Sequence, residues 1–137
     1  MQLVQLEDWR QFNKEGNDYL KTALGAATKR REVFTAEVLY NLAAMAIEKH
    51  IMALLMFHGD LADNHTMRDL ILSLERHLSL DPGLRERLLF IDAFQEICDQ
   101  ESYCHTPPNE TDLAQILHTA EEVQAFVASH FTRCGNG

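Results

Sequence analysis

The sequence predicts an all-α protein: an up-and-down bundle of four main helices with one extra short helix. Three observations lead there. No stretch alternates apolar and polar residues as a half-buried strand would. Apolar residues recur instead at steps of three and four. The few Gly and Pro residues sit at joints: Gly59, Asp81-Pro82-Gly83, Pro107-Pro108 and the closing Gly135-Asn136-Gly137. Short connections of this kind make consecutive helices antiparallel neighbours.

The first helix is expected from about Leu3 to Ala27, with Leu6, Trp9, Asn13, Gly16, Leu20, Ala23 and Ala27 on one stripe. Asn13 and Gly16 in that stripe predict a close approach by a neighbouring element. The second helix is expected from about Arg31 to His58. On its wheel Glu37, Asn41 and Glu48 fall within an arc of roughly 40°, and almost every other position is apolar. Such a helix must be covered on most sides, so it is the centre of the bundle, the seam of a dimer, or both. The third helix runs from about Met67 to Leu78, capped by Thr66 with Asp69 in its first turn. The fourth runs from about Leu84 to Gln100, with Asp81 and Pro82 at its start and Leu84, Leu88, Ile91, Phe94 and Cys98 facing inward. The fifth runs from about Glu110 to Phe131, capped by Asn109 or Thr111, with Leu113, Ile116, Ala120, Val123 and Val127 inward and His130 or Phe131 completing the stripe. Residues 1–137 read as one domain, with a core over about 3–131 and a tail over 132–137.

Composition narrows the function classes. Hydrophobic residues make up 46% of the 137, which suits a folded domain and excludes a disordered one. The formal charge is −9, with 21 acids against 12 bases. A chain this acidic repels phosphate polymers, so general nucleic-acid binding is disfavoured. The one basic cluster, Lys29-Arg30-Arg31, lies at a helix junction and reads as a solvated helix end. The opening MQLVQLEDWRQF carries acids where an export signal needs bases and has no apolar run behind them. Leu39 to Phe57 is broken by Asn41, Glu48, Lys49 and His50, and reads as a buried helix rather than a membrane span. Cys98, Cys104 and Cys134 are an odd count and are expected as reduced thiols of a cytoplasmic protein.

The stretch AAMAIEKHIMALLMFHGD, followed by HTMRDLILSL, resembles the HEPN superfamily. Ala46, Glu48, Lys49, Ala53, Leu54 and Leu55 match its Ala-x-Glu-Lys-x-x-x-Ala-Leu-Leu signature. Gly59 matches the Gly that ends that helix, His65 and Leu70 match the His and Leu that follow, and Trp9 matches a Trp common near the start of the first helix. The resemblance covers about residues 5–131. It implies a four-helix bundle, often homodimeric. Its members include ribonucleases of toxin and defence systems, partners of minimal nucleotidyltransferases, and nucleotide or ligand binders. The nuclease branch uses an Arg and a His separated by four to six residues near the last helix, the His for proton transfer and the Arg for phosphate charge. None of the seven His here has an Arg at that distance, and Arg68 to His77 leaves eight residues between. Where relatives carry Arg-Tyr before a Pro, this chain has Ser102-Tyr103 and then Cys104-His105-Thr106-Pro107.

The expectation is therefore a non-catalytic HEPN-like bundle, a homodimer without cofactor. It would bind a nucleotide, a small anion or a protein partner such as a nucleotidyltransferase. The alternative is a HEPN ribonuclease with a displaced motif, using His105 or His118. Glu48, Lys49, His65, Tyr103 and His105 are the candidate ligand-binding residues. Each also has a plainer reading. Lys49 lies among apolar wheel positions, where a bare ammonium is costly. It must either reach water along its stem or pair with a carboxylate. His65 can pin its loop, and Tyr103 to Asn109 can be a rigid proline connection. Cys98, Cys104 and His105 lack the spacing of a zinc site, and no His follows a Glu by three residues as in a di-iron bundle, so no metal is expected.

Overall fold

A computed structural model describes residues 8–30, 32–62, 66–98 and 108–135, with side chains for 8–30, 32–62, 66–92 and 108–132. Among these residues every regular element is a helix: α1 (Asp8–Lys29), α2 (Ala36–Phe57), α3 (Met67–Glu75), α4 (Pro82–Cys98) and α5 (Glu110–Gly135). The long first and second helices pack side by side in opposite directions. Trp9 meets Phe57, and Glu15 meets Lys49. α5 runs antiparallel to α1 and therefore parallel to α2, because Trp9 also meets Phe131 while Asn17 meets Gln124.

α2 is the hub, packed against α1, α3 and α5. By length and composition alone it could cross a membrane. Most of it is buried in the bundle, with Leu39, Ile47, Ile51, Leu54 and Leu55 almost wholly enclosed. The wheel is left open only along Glu37, Val38, Asn41 and Met45, an arc of roughly 100°. A buried polar tie joins α2 to α4: the Tyr40 hydroxyl donates to the Ile91 carbonyl at 3.0 Å.

The helix ends follow local chemistry. Thr66 accepts from the Asp69 amide, and Asp81 accepts from the Leu84 amide with Pro82 opening α4. Asn109 and Asp112 exchange side-chain bonds with each other's amides at the start of α5. α2 ends at Gly59 as expected. The Asp60 amide donates to the Leu55 carbonyl and the Gly59 amide to that of Met56, with Gly59 at φ +76°, which is a Schellman cap.

Three boundaries differ from expectation by three residues or more. α2 starts at Ala36 rather than near Arg31, because Thr35 caps it by accepting from the Val38 amide at 3.2 Å. The preceding turn folds back, with the Val33 and Phe34 amides both bonded to the Arg30 carbonyl. α3 stops at Glu75 rather than Leu78, where bonds from Arg76 to Ser73 and His77 to Leu74 tighten the chain into a turn. α5 continues through Phe131 to Gly135, so most of the expected tail is helical. The expected start of α1 at Leu3 lies outside the described residues.

Candidate functional site

Of the five residues the sequence singles out, the structure describes Glu48 and Lys49; His65, Tyr103 and His105 lie outside the described residues. Both described residues are half-buried on α2, and Glu48 has an interaction partner of its own. Lys49 Nζ is 2.8 Å from Glu15 Oε1 and lies 4.6 Å from the centroid of the Phe12 ring. Hydrogen bonds from Lys49 and Gln11 hold the Glu15 carboxyl below its usual range. The ammonium thus takes the second of the two routes open to its wheel position, pairing with a carboxylate, and the face of the Phe12 ring adds a cation–π contact.

At the neighbouring positions, Gly16 and His50, α1 and α2 are in close contact. A Cβ on Gly16 would stand 2.8 Å from both Cδ2 and Nε2 of His50, so only glycine admits the imidazole. His50 is fully buried. Its Nε2 is 2.8 Å from Asn17 Oδ1, which also accepts from Gln124 Nε2 at 2.8 Å. This chain of polar groups ties α2, α1 and α5 together. Nδ1 of His50 has no partner, and burial pushes the imidazole pKa down to about 4.

A second cluster forms at the end of the bundle where α2, α3 and α5 finish. The His58 and His77 rings stack with centroids 5.0 Å apart and planes 6° apart. Asp60 Oδ2 accepts from His77 Nε2 at 2.7 Å and from an Arg76 terminal nitrogen at 2.9 Å. Burial raises the Asp60 pKa, but the bonds from His77 and Arg76 outweigh it and bring the carboxyl to about 2. Burial lowers the His58 pKa, and the facing His77 and His130 add to that. Behind these groups Trp9, Phe57 and Phe131 form an aromatic plug. Sequence reading missed this cluster. Asp60 and His77 are 17 positions apart, and only the turn at Gly59 and the early end of α3 bring them together.

A groove of about 600 Å³ opens between α4 and α5. Its α5 wall is Thr111, Ala114, Gln115, His118 and Thr119, a stripe at steps of three and four. Its α4 wall is Glu86, Arg87 and Phe90, with Phe90 38% exposed. Arg87 is held by Glu122 through two bonds, Nε to Oε1 at 2.8 Å and a terminal nitrogen to Oε2 at 2.6 Å. Among the described residues no three His, Cys, Asp or Glu side chains are grouped to hold a metal ion.

Comparison with known proteins bears on the architecture. No family model and no curated protein matches the sequence. Two solved structures match the fold. One is TT1696 from Thermus thermophilus, at TM-score 0.71 and 18% identity over 88% of this chain and 96% of that one. The other is ST0689, an archaeal HEPN homologue, at TM-score 0.64 and 20% identity over 95% of this chain and 98% of that one. The chain has a HEPN-like helical fold, in keeping with the motif around Glu48 and Lys49.

Proposed function

We propose that this chain is a non-catalytic HEPN-like bundle of the cytoplasm, a homodimer that holds a partner protein in the groove between α4 and α5. The character of that groove is the observation that carries the reading. Phe90 and Ala114 offer apolar surface, Gln115 and Thr111 offer hydrogen bonds, and the one guanidinium on the wall is already neutralised by Glu122. A phosphate entering there would meet Glu86 and would have to displace a carboxylate from Arg87, a costly exchange for a charge-assisted double bond. Protein side chains require no such exchange: an apolar anchor seats against Phe90, and a basic residue finds Glu86. The partner class implied by the resemblance is a minimal nucleotidyltransferase, and a toxin–antitoxin pairing would be one setting for it.

The test is co-expression with a minimal nucleotidyltransferase, followed by native mass measurement of the complex. Phe90→Glu should abolish the complex while circular dichroism stays unchanged. A complex that survives both Phe90→Glu and Ala114→Arg would remove the groove from the proposal.

One observation favours the ribonuclease alternative. His77 is oriented by Asp60, lies beside Arg76 and stacks on His58, and a carboxylate-oriented imidazole is what a general base needs. Incubation with structured RNA decides between the readings. Cleavage lost in His77→Ala would make the chain an enzyme acting at that pole. Cleavage lost in His118→Ala would put the chemistry in the α4–α5 groove, and cleavage lost in His105→Ala would assign it to the displaced motif. Intact RNA supports the binding role.

A further inference from the structure

Three imidazoles meet at the pole where α2, α3 and α5 finish. The His58 and His77 rings lie face to face, with centroids 5.0 Å apart and planes 6° apart. His130 of α5 is near enough for its charge to act on His58. Stacked imidazoles attract while at least one ring is neutral; two imidazolium ions in the same arrangement repel. Counter-charge is short here. The Asp60 carboxylate is already shared by His77 at 2.7 Å and Arg76 at 2.9 Å. The other elements packed at the pole give little relief. α1 brings an exposed Asp8 and Arg10, whose guanidinium lies 4.6 Å from the centroid of the Trp9 ring. At the end of α3, Glu75 is engaged by Arg85 of α4 at 3.1 Å. Among the described residues no ion pair joins Asp8, His58 or His130. At neutral pH Arg76 and Asp60 cancel, and each proton then taken up by an imidazole adds a positive charge with no further carboxylate to meet it.

The way these elements are joined is the second observation. α3 is anchored in the core by Leu70, Ile71 and Leu74. Its exit turn is not: the Arg76 and His77 amides bond three residues back, to Ser73 and Leu74, in the tighter and poorer geometry of a helix end. The ring stack and the shared Asp60 join that turn to the end of α2. The aromatic plug adjoins the stack. The Phe57 ring is 5.7 Å from that of His58, and Trp9 and Phe131 lie 5.2 and 5.1 Å from Phe57. A change in the stack is therefore one ring away from Phe57 and two from Trp9.

We propose that this pole is an acid-sensitive clasp: protonation of the stacked imidazoles parts the exit turn of α3 from the end of α2 and uncovers one side of the Trp9–Phe57–Phe131 plug, while the bundle stays folded. Burial, and then the facing His77 and His130, hold His58 below its usual range of 6.5. Opening the clasp therefore takes up a proton. The closed form is favoured above pH 6.5 and loses ground as pH falls below it. His50 is a separate case. It lies in the core and acts on the stability of the whole fold.

Trp9 is the one tryptophan of the chain, so its emission reports on the plug alone. Fluorescence and far-ultraviolet circular dichroism of the full chain, followed together from pH 7.5 to 5, test the proposal. The expected result is a shift of Trp9 emission to longer wavelength, with a midpoint below 6.5 and helix content unchanged. His58→Gln should remove most of that shift, and the exposed position of His58 keeps this variant from disturbing the core. Asp60→Asn takes away the shared carboxylate and should move the midpoint to higher pH. His50→Gln should leave the midpoint where it is. The proposal falls if the emission is constant across this range, if circular dichroism changes in step with it, if Asp60→Asn leaves the midpoint unmoved, or if His58→Gln and His77→Gln both keep the original transition.

Discussion

A methyl group on Gly16 would arrive 2.8 Å from an imidazole that is fully buried and tied to Asn17. His50 has no room to retreat, so the backbone of α1 or α2 must give. Gly16→Ala should therefore destabilise the fold by about 1–3 kcal/mol, the usual range for overpacking, even though alanine favours the helix. Gly25→Ala, with open space at its Cβ, should instead stabilise by about 0.5–1 kcal/mol. Urea denaturation of the two variants should move the midpoint in opposite directions. Adding His50→Ala to Gly16→Ala should give less than the sum of the single losses, because the two side chains compete for one space.

The same imidazole makes stability depend on pH. Its pKa is about 4 in the fold against 6.5 for an unhindered His, so the unfolded chain takes up the proton first. Stability is then at its full value above pH 6.5 and falls as pH drops toward 4, by up to about 1.4 kcal/mol per pH unit and about 3 kcal/mol in all. Asp60 extends the loss into stronger acid. Its carboxyl is held at about 2 against 3.8, so its contribution is present above 3.8 and disappears as pH falls through 2. Denaturation midpoints at pH 7, 5.5 and 4.5 check the first window. His50→Gln should flatten that slope, and parallel slopes in the two proteins would assign the proton elsewhere.

Among the elements, the stability of α2 rests on its two ends. Thr35→Ala removes the acceptor for the Val38 amide and should cost about 1 kcal/mol. Gly59→Ala forces a β-carbon into φ +76° and should cost about 1–2 kcal/mol. The two lie at opposite ends of the helix, so thermal melts of the double variant should show nearly additive losses. These ends also show what the sequence could reveal. The caps of α3, α4 and α5 were legible because Thr66, Asp81-Pro82 and Asn109 announce themselves by residue type and spacing. The start of α2 was not, because Glu32 to Phe34 contain no breaker and continue the apolar period. The turn at Arg30, which packs Phe34 against Ala26, Leu39 and Leu113, precedes the Thr35 cap, and the two together set the start. The close approach at Gly16 could be read from a small residue in an apolar stripe. Its cause, His50, lies 34 residues away and could not. Lys49 could be read as needing a carboxylate, but not which one. The pole of His58, Asp60, Arg76 and His77 and the stripe from Thr111 to Thr119 each look like ordinary solvated surface until three helix ends or two helix faces meet.

For the whole molecule the open question is what covers the remaining face of α2. Val38 and Met45 are 41% and 39% exposed, with Glu37 and Asn41 between them. A stable dimer buries roughly 1,200–2,000 Å² in total, and two half-exposed side chains flanked by polar ones supply a small part of that. A seam confined to this strip would be weak, so the proposed homodimer must draw in a second surface. The α4–α5 groove, with Phe90 on its wall, is a second apolar opening that could contribute to it. Sedimentation at micromolar concentration separates the possibilities. If copies meet through α2, Met45→Asp should yield monomers and Phe90→Glu should not. If they meet through the groove, the reverse holds, and a nucleotidyltransferase would then compete with the second copy for Phe90. A compact monomer in the unmodified protein would remove the dimer from the proposed function and leave the groove free for a different partner.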